Sequence, residues 1–169
     1  MALERSFIVC LPGLAALDAP LFARIVSSSF YLSHDIRRNV ELAIILLEER
    51  AAVRLQGPRL RHVHVDEASL TGIYRKAVRG VREGVKRSVH WGVKVEPLRR
   101  GFKPPTGYTP SPRGAPLTRD TCKPPLRFLI GCRGEPLRIT ARPKPADVTI
   151  SLLNIALDRL EAGLQPLPA

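Results

Sequence analysis

The sequence predicts an α/β protein in which a parallel sheet is sandwiched by helices. Segments with strand-like composition alternate with segments of helical periodicity along the chain. The run 40–47 (VELAIILL) is almost continuously apolar, which is typical of a strand buried on both faces of a parallel sheet. Residues 66–86 repeat apolar side chains at i, i+3, i+4 and i+7, the pattern of an amphipathic helix.

The N-terminal part is predicted to alternate strands with helices. A strand at 6–11 comes first, and Asp18 with Pro20 then marks the start of a helix whose apolar positions follow the 3.6-residue period. The buried strand at 40–47 follows. Two short strands are expected at residues 53–55 and 62–65 before the helix of residues 66–86.

The C-terminal part begins with a proline-rich segment. Residues 103–125 contain seven prolines and two glycines, which predicts an irregular crossing. Residues 128–131 (FLIG) are expected to form a buried strand stopped by glycine, and 137–140 a last short strand. The final helix is predicted at 148–160, with apolar residues that extend too far around it for one buried face. This distribution indicates a subunit interface.

Length and composition indicate one domain without a membrane span. The 169 residues fit a single domain, divided into an α/β part (1–102), the crossing (103–125) and a final part (126–169). The apolar N-terminal patch is short and is interrupted by Pro12 and Gly13, so we interpret it as a strand rather than a signal peptide. No apolar run reaches transmembrane length, and we expect no membrane association.

The charge of the chain predicts a polyanionic partner. The formal net charge is +12, and ten Lys and Arg residues lie between residues 72 and 103 against only Glu83 and Glu96. Such an excess favours nucleic acid over a membrane surface, although a solvated helix face is the simpler alternative. The predicted RNA-binding residues are Arg75, Arg79, Arg82, Lys86, Arg99 and Arg100.

Cysteine and histidine positions argue against disulfides and metals. Cys10, Cys122 and Cys132 are odd in number and contain no C-x-x-C pair, so neither a disulfide framework nor a zinc knuckle is predicted, and a reducing compartment is expected. Cys122 and Cys132 are interpreted as small hydrophobic residues. His62 and His64 would share one strand face, but no third ligand has a recognisable spacing, so no metal is predicted.

A polar stretch separates two core elements. Residues 31–39 (YLSHDIRRN) place Ser33, His34, Asp35, Arg37 and Arg38 between the first helix and the buried strand. Helix capping accounts for one or two such side chains but not for five. The alternative is that Ser33 and Asp35 cap the helix while the two arginines are merely solvated.

The stretch also carries a family resemblance. The sequence SSSFYLSHDIRRNVELAIIL resembles the segment after the first helix in archaeal tRNA pseudouridine-54 N1-methyltransferases, members of the SPOUT superfamily. VKVEPLRRGF (93–102), RFLIG (127–131) and LNIALDRL (153–160) resemble further segments of that family. The resemblance implies a SPOUT-type sheet with a C-terminal trefoil knot, S-adenosyl-L-methionine as methyl donor, tRNA as substrate, a homodimer and a cytoplasmic location.

The resemblance also assigns residues to the methyl-donor site. By position, Leu117 stands at the start of the first donor-binding loop, Gly131 in the second, Arg138, Ile139 and Thr140 at the entrance of the third, and Thr149 at the start of the last helix. The chain departs from the family where a G-D-H-[IV]-G loop and a helix usually precede the last strand. Here Gly131 leads directly into CRGEP, so the knot region is shortened.

In this family reading the polar stretch is catalytic. Asp35, Arg37 and Arg38 would project toward the methyl donor. Methylation of N1 of pseudouridine requires loss of the N1 proton, which a carboxylate such as Asp35 can accept, while Arg37 or Arg38 binds a base carbonyl or phosphate and stabilises developing charge. A non-catalytic SPOUT-derived RNA-binding protein and an rRNA pseudouridine N1-methyltransferase are the alternatives that the sequence leaves open.

Overall fold

The structure is a computed structural model that describes residues 4–64, 66–121 and 123–166. These residues form eight strands and three α-helices along one sheet. The strands are β1 Arg5–Leu11, β2 Val40–Leu46, β3 Ala51–Gln56, β4 Arg87–His90, β5 Val93–Pro97, β6 Tyr108–Pro116, β7 Leu126–Ile130 and β8 Glu135–Arg138. The helices are α1 Ala19–Phe30, α2 Glu67–Glu83 and α3 Ala146–Glu161.

The sheet is mixed rather than parallel throughout. Its strand order is β4-β5-β3-β2-β1-β7-β6-β8. The central strand β1 pairs in parallel with β2 and β7, as the apolar run of β2 predicted. The pairs β2–β3 and β4–β5 are antiparallel because short turns connect them, and β3 also pairs with β5 in the antiparallel sense. The prediction of a parallel sheet therefore holds only for its centre and its β6–β8 side.

The described helices cover one face of the sheet, so the prediction of a sandwich is wrong. Side chains of α1, α2 and α3 pack with Phe7, Leu42 and Phe128 in one core cluster. The other face carries a smaller cluster that contains no residue of these helices and is packed by Leu98, Phe102 and Cys132. The connection from β5 to β6 thus crosses this second face, since four strands separate those two in the sheet.

The helix ends follow the sequence signals. The side chains of Asp18 and Asp66 accept hydrogen bonds from the amides of Leu21 and Ser69, both at 2.7 Å, which caps α1 and α2. Gly84 ends α2 in the left-handed region, at φ +65°. The strand expected at 62–65 is wrong for residues 62–64, which form no strand, and Val65 lies outside the described residues. His62 and His64 therefore do not share a strand face.

Part of the proline-rich segment is a strand, which corrects the irregular crossing expected at 103–125. Residues 103–107 cross the sheet, but β6 then lies between β7 and β8. Its pairing is sparse, with only Tyr108 paired to β7 and a register shift between Pro110 and Ala115 against β8. Prolines lack an N–H, which explains both the poor ladder and the failure of composition to reveal the strand.

A disulfide joins Cys10 at the end of β1 to Cys132 after β7, with 5.6 Å between the Cα atoms. The predicted absence of disulfides and the interpretation of Cys132 as a small hydrophobe are therefore wrong. The parallel register that pairs Val9 with Ile130 brings the two cysteines together across 122 residues of sequence. Cys122 lies outside the described residues. No helix in the described ranges is long and apolar enough to cross a membrane.

Candidate active site and RNA-binding surface

The polar stretch forms a tight, bridged loop between α1 and β2. Tyr31 and Ile36 make an isolated β-bridge, and the amide of Arg37 donates to the Phe30 carbonyl oxygen at 2.6 Å. Burial, with a smaller contribution from the Asp66 carboxylate, raises the pKa of Tyr31 to about 12. Its hydroxyl therefore stays protonated and donates to the His64 carbonyl oxygen at 2.7 Å. We call residues 31–38 the bridged loop.

The carboxylate of Asp35 is presented to solvent by this loop. Its side chain is 69% exposed, and Ser33 and His34 beside it are also exposed. One carboxylate oxygen accepts a hydrogen bond from the Ile36 amide at 2.6 Å, and the Arg38 guanidinium lies 3.9 Å from the same oxygen. The carboxylate is thus held in place and remains accessible to a substrate.

The two arginines of the loop have different environments. Arg37 turns inward, and its two terminal nitrogens donate to the two carboxylate oxygens of Asp158 on α3 at 2.8 and 2.6 Å. Arg38 stays half exposed and donates to the carbonyl oxygens of Leu60 and Gly57 at 2.7 and 3.2 Å. Arg38 therefore lies beside Asp35 at the surface, whereas Arg37 ties the loop to the last helix.

Asp158 is the centre of a partly buried network. Arg5, whose side chain is fully buried, donates to Asp158 at 3.0 Å, to Glu161 at 2.7 Å and to the side-chain oxygen of Asn154 at 2.9 Å. Burial opposes ionisation of Asp158, but the guanidiniums of Arg37 and Arg5 outweigh it and hold the pKa of this carboxyl below its usual 3.8. The network fixes the bridged loop against β1 and α3.

The six residues predicted to bind the methyl donor line two adjoining cavities. The first, the glycine pocket, has a volume of about 120 Å³ and is lined by Gly131, Ile139, Thr140 and Thr149 among others. The second, the Leu117 pocket, measures about 330 Å³ and is lined by Leu117 and Arg138. Ile139 and Thr140 line both, so the structure brings this set together although it is spread over 33 residues of sequence.

The larger cavity offers an unused polar group. The Nε atom of Arg138 is buried and has no hydrogen-bond partner among the described residues, which is uncommon for a buried donor. A polar ligand in the Leu117 pocket would supply that partner. S-adenosyl-L-methionine carries a carboxylate, hydroxyls and ring nitrogens that can accept such a hydrogen bond, so the residues present fit this group.

Gly131 has a structural role in addition to lining the cavity. Its φ is +76°, and a Cβ atom there would lie 2.5 Å from the Cys10 carbonyl oxygen. The glycine is therefore required by the close approach of its backbone to β1. Substitution at 131 would disturb the sheet whether or not a ligand binds, so Thr140 is the better position for testing the cavity.

The glycine pocket and the bridged loop lie at opposite ends of the central strands. The loop precedes Val40, which is level with Arg5, whereas Gly131 follows Ile130, which is level with Val9. Four residues of strand separate these levels, or about 13 Å. Along α3, the nine residues from Thr149 to Asp158 span a similar distance of about 13 Å. The projection of Asp35, Arg37 and Arg38 toward a bound methyl donor stays a prediction, and the register separates the bridged loop from the glycine pocket of the same chain.

The predicted RNA-binding residues lie at the surface in two groups. Arg75, Arg79, Arg82 and Lys86 are all exposed and follow one side of α2 and the turn after it. Arg99 and Arg100 are exposed beyond the end of β5. The arrangement gives a basic surface, and its contact with RNA stays a prediction.

Sequence reasoning missed a groove beside this surface. A cavity of about 730 Å³ lies between the segment 58–61, α2 and the turn between β4 and β5, and Trp91 lines it with an indole that is 68% exposed. We call it the Trp91 groove. A lone tryptophan before a glycine is the sequence signal that could have indicated an exposed aromatic in a turn.

Comparison with known proteins identifies the class. Residues 9–104 match the model of a family described as "Putative SAM-dependent RNA methyltransferase", and this segment is more than half of the chain. The chain belongs to this family. The matched segment contains the bridged loop, α2 and the Trp91 groove, and it ends before Leu117.

Individual relatives share one description. The chain is 38% identical over 73 residues to the tRNA (pseudouridine(54)-N(1))-methyltransferase of Haloferax volcanii, which is 43% of this chain and 35% of that protein. It is 38% identical over 68 residues to that of Natronomonas pharaonis (40% and 33%) and 32% identical over 96 residues to that of Halobacterium salinarum (55% and 47%). The chain thus spans less than half the length of each of these relatives.

Proposed function

We propose that this chain is an S-adenosyl-L-methionine-dependent methyltransferase that methylates N1 of pseudouridine at position 54 of tRNA. The observation that carries the proposal is the fixed but exposed Asp35 carboxylate beside Arg38, within the segment that matches the RNA methyltransferase family. The names of the relatives supply the substrate. We further propose a single SPOUT-like domain with a C-terminal trefoil knot, acting in the cytoplasm where tRNA is found.

The chemistry follows from the groups at the bridged loop. S-adenosyl-L-methionine supplies an electrophilic methyl group when bound. The ring nitrogen N1 of pseudouridine must lose its proton to accept that methyl, and we assign acceptance of this proton to the exposed carboxylate of Asp35. Arg38, beside it, can donate to a base carbonyl and stabilise the negative charge that develops on the ring. Arg37 positions the loop through Asp158.

The separation of the two sites argues for a homodimer. Because Asp35 and the glycine pocket of one chain lie at opposite ends of the central strands, we propose that a second chain brings its bridged loop to the pocket of the first. The last helix offers a surface for pairing, since Val148 and Ile155 are 39% and 46% exposed and recur seven residues apart on α3. Leu152 lies between them on the same side of the helix.

A complementation experiment tests this arrangement. Asp35→Asn removes the proposed base, and Thr140→Phe fills the cavity, so each variant alone should be inactive in methyl transfer to tRNA that carries pseudouridine 54. If the site is shared between chains, mixed dimers hold one intact site and one doubly defective site. A random mixture should then recover about a quarter of the parent rate.

Controls make the outcome specific. Thr140→Ser keeps the cavity open and should retain activity in homodimers. No recovered activity in dimers proven to be mixed would contradict the shared site, and full activity of Asp35→Asn alone would remove Asp35 from the reaction.

The shortened segment after β7 favours a second candidate. Only residues 131–134 connect β7 to β8, where the family resemblance implies a longer loop and a helix. A SPOUT-derived protein that binds RNA without methylating it would agree with this reduction. Calorimetry with S-adenosyl-L-methionine separates the candidates, because saturable binding that Thr140→Phe abolishes and Thr140→Ser retains supports the enzyme. Methyl transfer to tRNA and rRNA fragments that carry pseudouridine then distinguishes the tRNA enzyme from an rRNA enzyme.

A further inference from the structure

The indole of Trp91 is exposed to solvent in the turn between β4 and β5. Trp91 is the single tryptophan of the sequence, and its side chain is 68% exposed although tryptophan is usually well buried. It occupies the turn between β4 and β5, at the rim of the Trp91 groove. Because tryptophan is highly buried on average, an indole exposed on a basic surface is a candidate ligand contact.

The backbone that carries this indole is fixed. Gly92 has φ +76°, and a Cβ there would lie 2.6 Å from the Leu60 amide nitrogen, so the turn packs closely on the segment 58–61. The Gly92 carbonyl oxygen accepts from the Gln56 amide at 2.9 Å, and a ring nitrogen of His90 lies 2.9 Å from the Arg61 carbonyl oxygen. With the backbone fixed, only the side-chain rotation of Trp91 remains to be ordered when the indole binds a ligand.

The groove around the indole is basic. Its described lining contains Arg59, Arg61 and Lys76 and no acidic residue. No carboxylate that the structure describes forms an ion pair with these three side chains. Cationic groups around an exposed aromatic face are the arrangement by which proteins bind unpaired nucleic acid, with bases on the ring and phosphates on the cations.

The groove is continuous with the bridged loop. Pro58, Arg59 and Arg61 line one wall of the groove. Arg38 donates to the carbonyl oxygens of Gly57 and Leu60, which are their neighbours in the chain. Gly57 in turn packs against the Arg37 carbonyl oxygen. A nucleotide beside Asp35 and a nucleotide in the Trp91 groove can therefore belong to one RNA segment.

We propose that the Trp91 groove holds an unpaired base that neighbours the nucleotide offered to Asp35. The base stacks on the indole, and Arg59, Arg61 and Lys76 bind the adjoining phosphates. The inference rests on the proposed function in requiring an RNA substrate, but it assigns a second binding site outside the methyl-transfer residues. It also implies that the substrate is looped or single-stranded at this point, since bases in a duplex are not free to stack on protein.

The single tryptophan permits a direct test. An unstructured oligouridylate of about twelve nucleotides, within the range of single-strand binding sites, should quench the fluorescence of Trp91 in a saturable way. Inorganic polyphosphate of equal charge should bind the cations but leave the indole nearly unquenched. Trp91→Ala should weaken binding of fluorescein-labelled RNA by roughly 5- to 150-fold, the range for loss of one stacked base.

Matched variants separate stacking from general effects. Trp91→Phe keeps a stacking surface and should retain most of the affinity. Leu47→Ala truncates another exposed apolar side chain, 52% exposed and outside the groove, and should leave RNA binding unchanged.

Three results would overturn the inference. The first is an RNA affinity of Trp91→Ala equal to that of the parent. The second is quenching of Trp91 by polyphosphate as strong as that by the oligouridylate. The third is quenching of the same strength by an acidic peptide, which would make the groove a protein-binding site. These three results differ from the results that would refute the proposed methyltransferase function. Absence of methyl transfer with base-dependent quenching intact would refute the enzyme and support the groove, whereas methyl transfer with parental affinity in Trp91→Ala would refute the groove alone.

Discussion

Asp35 and Asp158 are the carboxylates that pair with Arg38 and Arg37 of the bridged loop, and their environments differ. Asp35 is exposed and is held by a backbone amide, whereas Asp158 is enclosed by the guanidiniums of Arg5 and Arg37. A partly enclosed carboxylate with two cationic partners is locked in its charged form and stabilises structure. The exposed carboxylate of Asp35, beside Arg38, remains accessible to a substrate.

Asp35→Asn should lower the rate of methyl transfer by roughly 10²- to 10⁴-fold if Asp35 is the general base. The amide keeps the shape of the side chain but loses its basicity, so affinity for tRNA should stay near the parent value. Methyl transfer from labelled S-adenosyl-L-methionine and filter binding measure the two effects. Loss of RNA affinity in parallel with the rate would instead make Asp35 a binding residue.

Asp158→Asn should lower the free energy of unfolding by about 1–2 kcal/mol at neutral pH, because the buried Arg5 loses a charged acceptor while solvent at the 39% exposed carboxylate screens part of the interaction. The folded-state pKa of Asp158 lies below 3.8, so its stabilising contribution is fully present above pH 3.8 and is lost as pH falls through the lowered value. The difference between parent and variant in urea unfolding should therefore shrink in acid. Glu83→Gln, which breaks an exposed ion pair with Arg87, should change stability by less than about 1 kcal/mol.

At the scale of elements, α2 has one side that packs into the core and one side that is exposed and basic. One side packs Leu70, Ile73, Ala77 and Val81 into the core, and the other carries the exposed basic residues of the predicted RNA surface. The capping by Asp66 and the left-handed Gly84 fix both ends of the helix. The basic side chains are therefore carried by a helix that is fixed at both ends, and Lys76 of the same helix lines the Trp91 groove.

Arg79→Ala with Arg82→Ala should weaken RNA binding and flatten its salt dependence. Each phosphate contact that is lost should reduce the slope of log affinity against log salt by roughly 0.7–0.9. Arg113→Ala, an exposed arginine on β6 outside the predicted surface, is the matched control and should leave the slope unchanged. An unchanged slope in the double variant would leave this side of α2 as ordinary solvated surface.

At the scale of the whole molecule, the disulfide joins the central strand to the C-terminal part. It connects β1 with the start of the short segment between β7 and β8, next to Gly131 and the glycine pocket. Arg5 makes a second connection, from the other end of β1 to the end of α3. The C-terminal part of the chain is thus connected to both ends of β1.

Cys10→Ser should lower the free energy of unfolding by about 2–5 kcal/mol under oxidising conditions, since the bond closes a long loop in the unfolded chain. In dithiothreitol the parent and the variant should unfold at the same urea concentration, apart from the small change of one side chain. Cys122→Ser leaves the bonded pair intact and serves as the control. Equal stability of parent and Cys10→Ser without reductant would show that the bond does not form in solution.

The sequence alone determined the features that depend on local physics. Helix starts at Asp18 and Asp66, the apolar strands β1, β2 and β7, and the apolar turns of α3 follow from capping, burial and periodicity within short windows. The bridged loop was also identifiable, because five polar side chains between two core elements exceed what capping requires. The family resemblance rests on this same stretch, and the family match bears it out.

Tertiary structure decided what depends on long-range pairing. Strand register brings Cys10 to Cys132, gives the proline-rich β6 its neighbours and puts the helices on one face, and none of these leaves a trace in local periodicity. The same register separates the start of β2, which the bridged loop precedes, from the end of β7, which Gly131 follows, by about 13 Å along the strands, since a strand rises by a fixed distance per residue. It also joins Trp91, Arg59 and Lys76 from three separate segments into one groove.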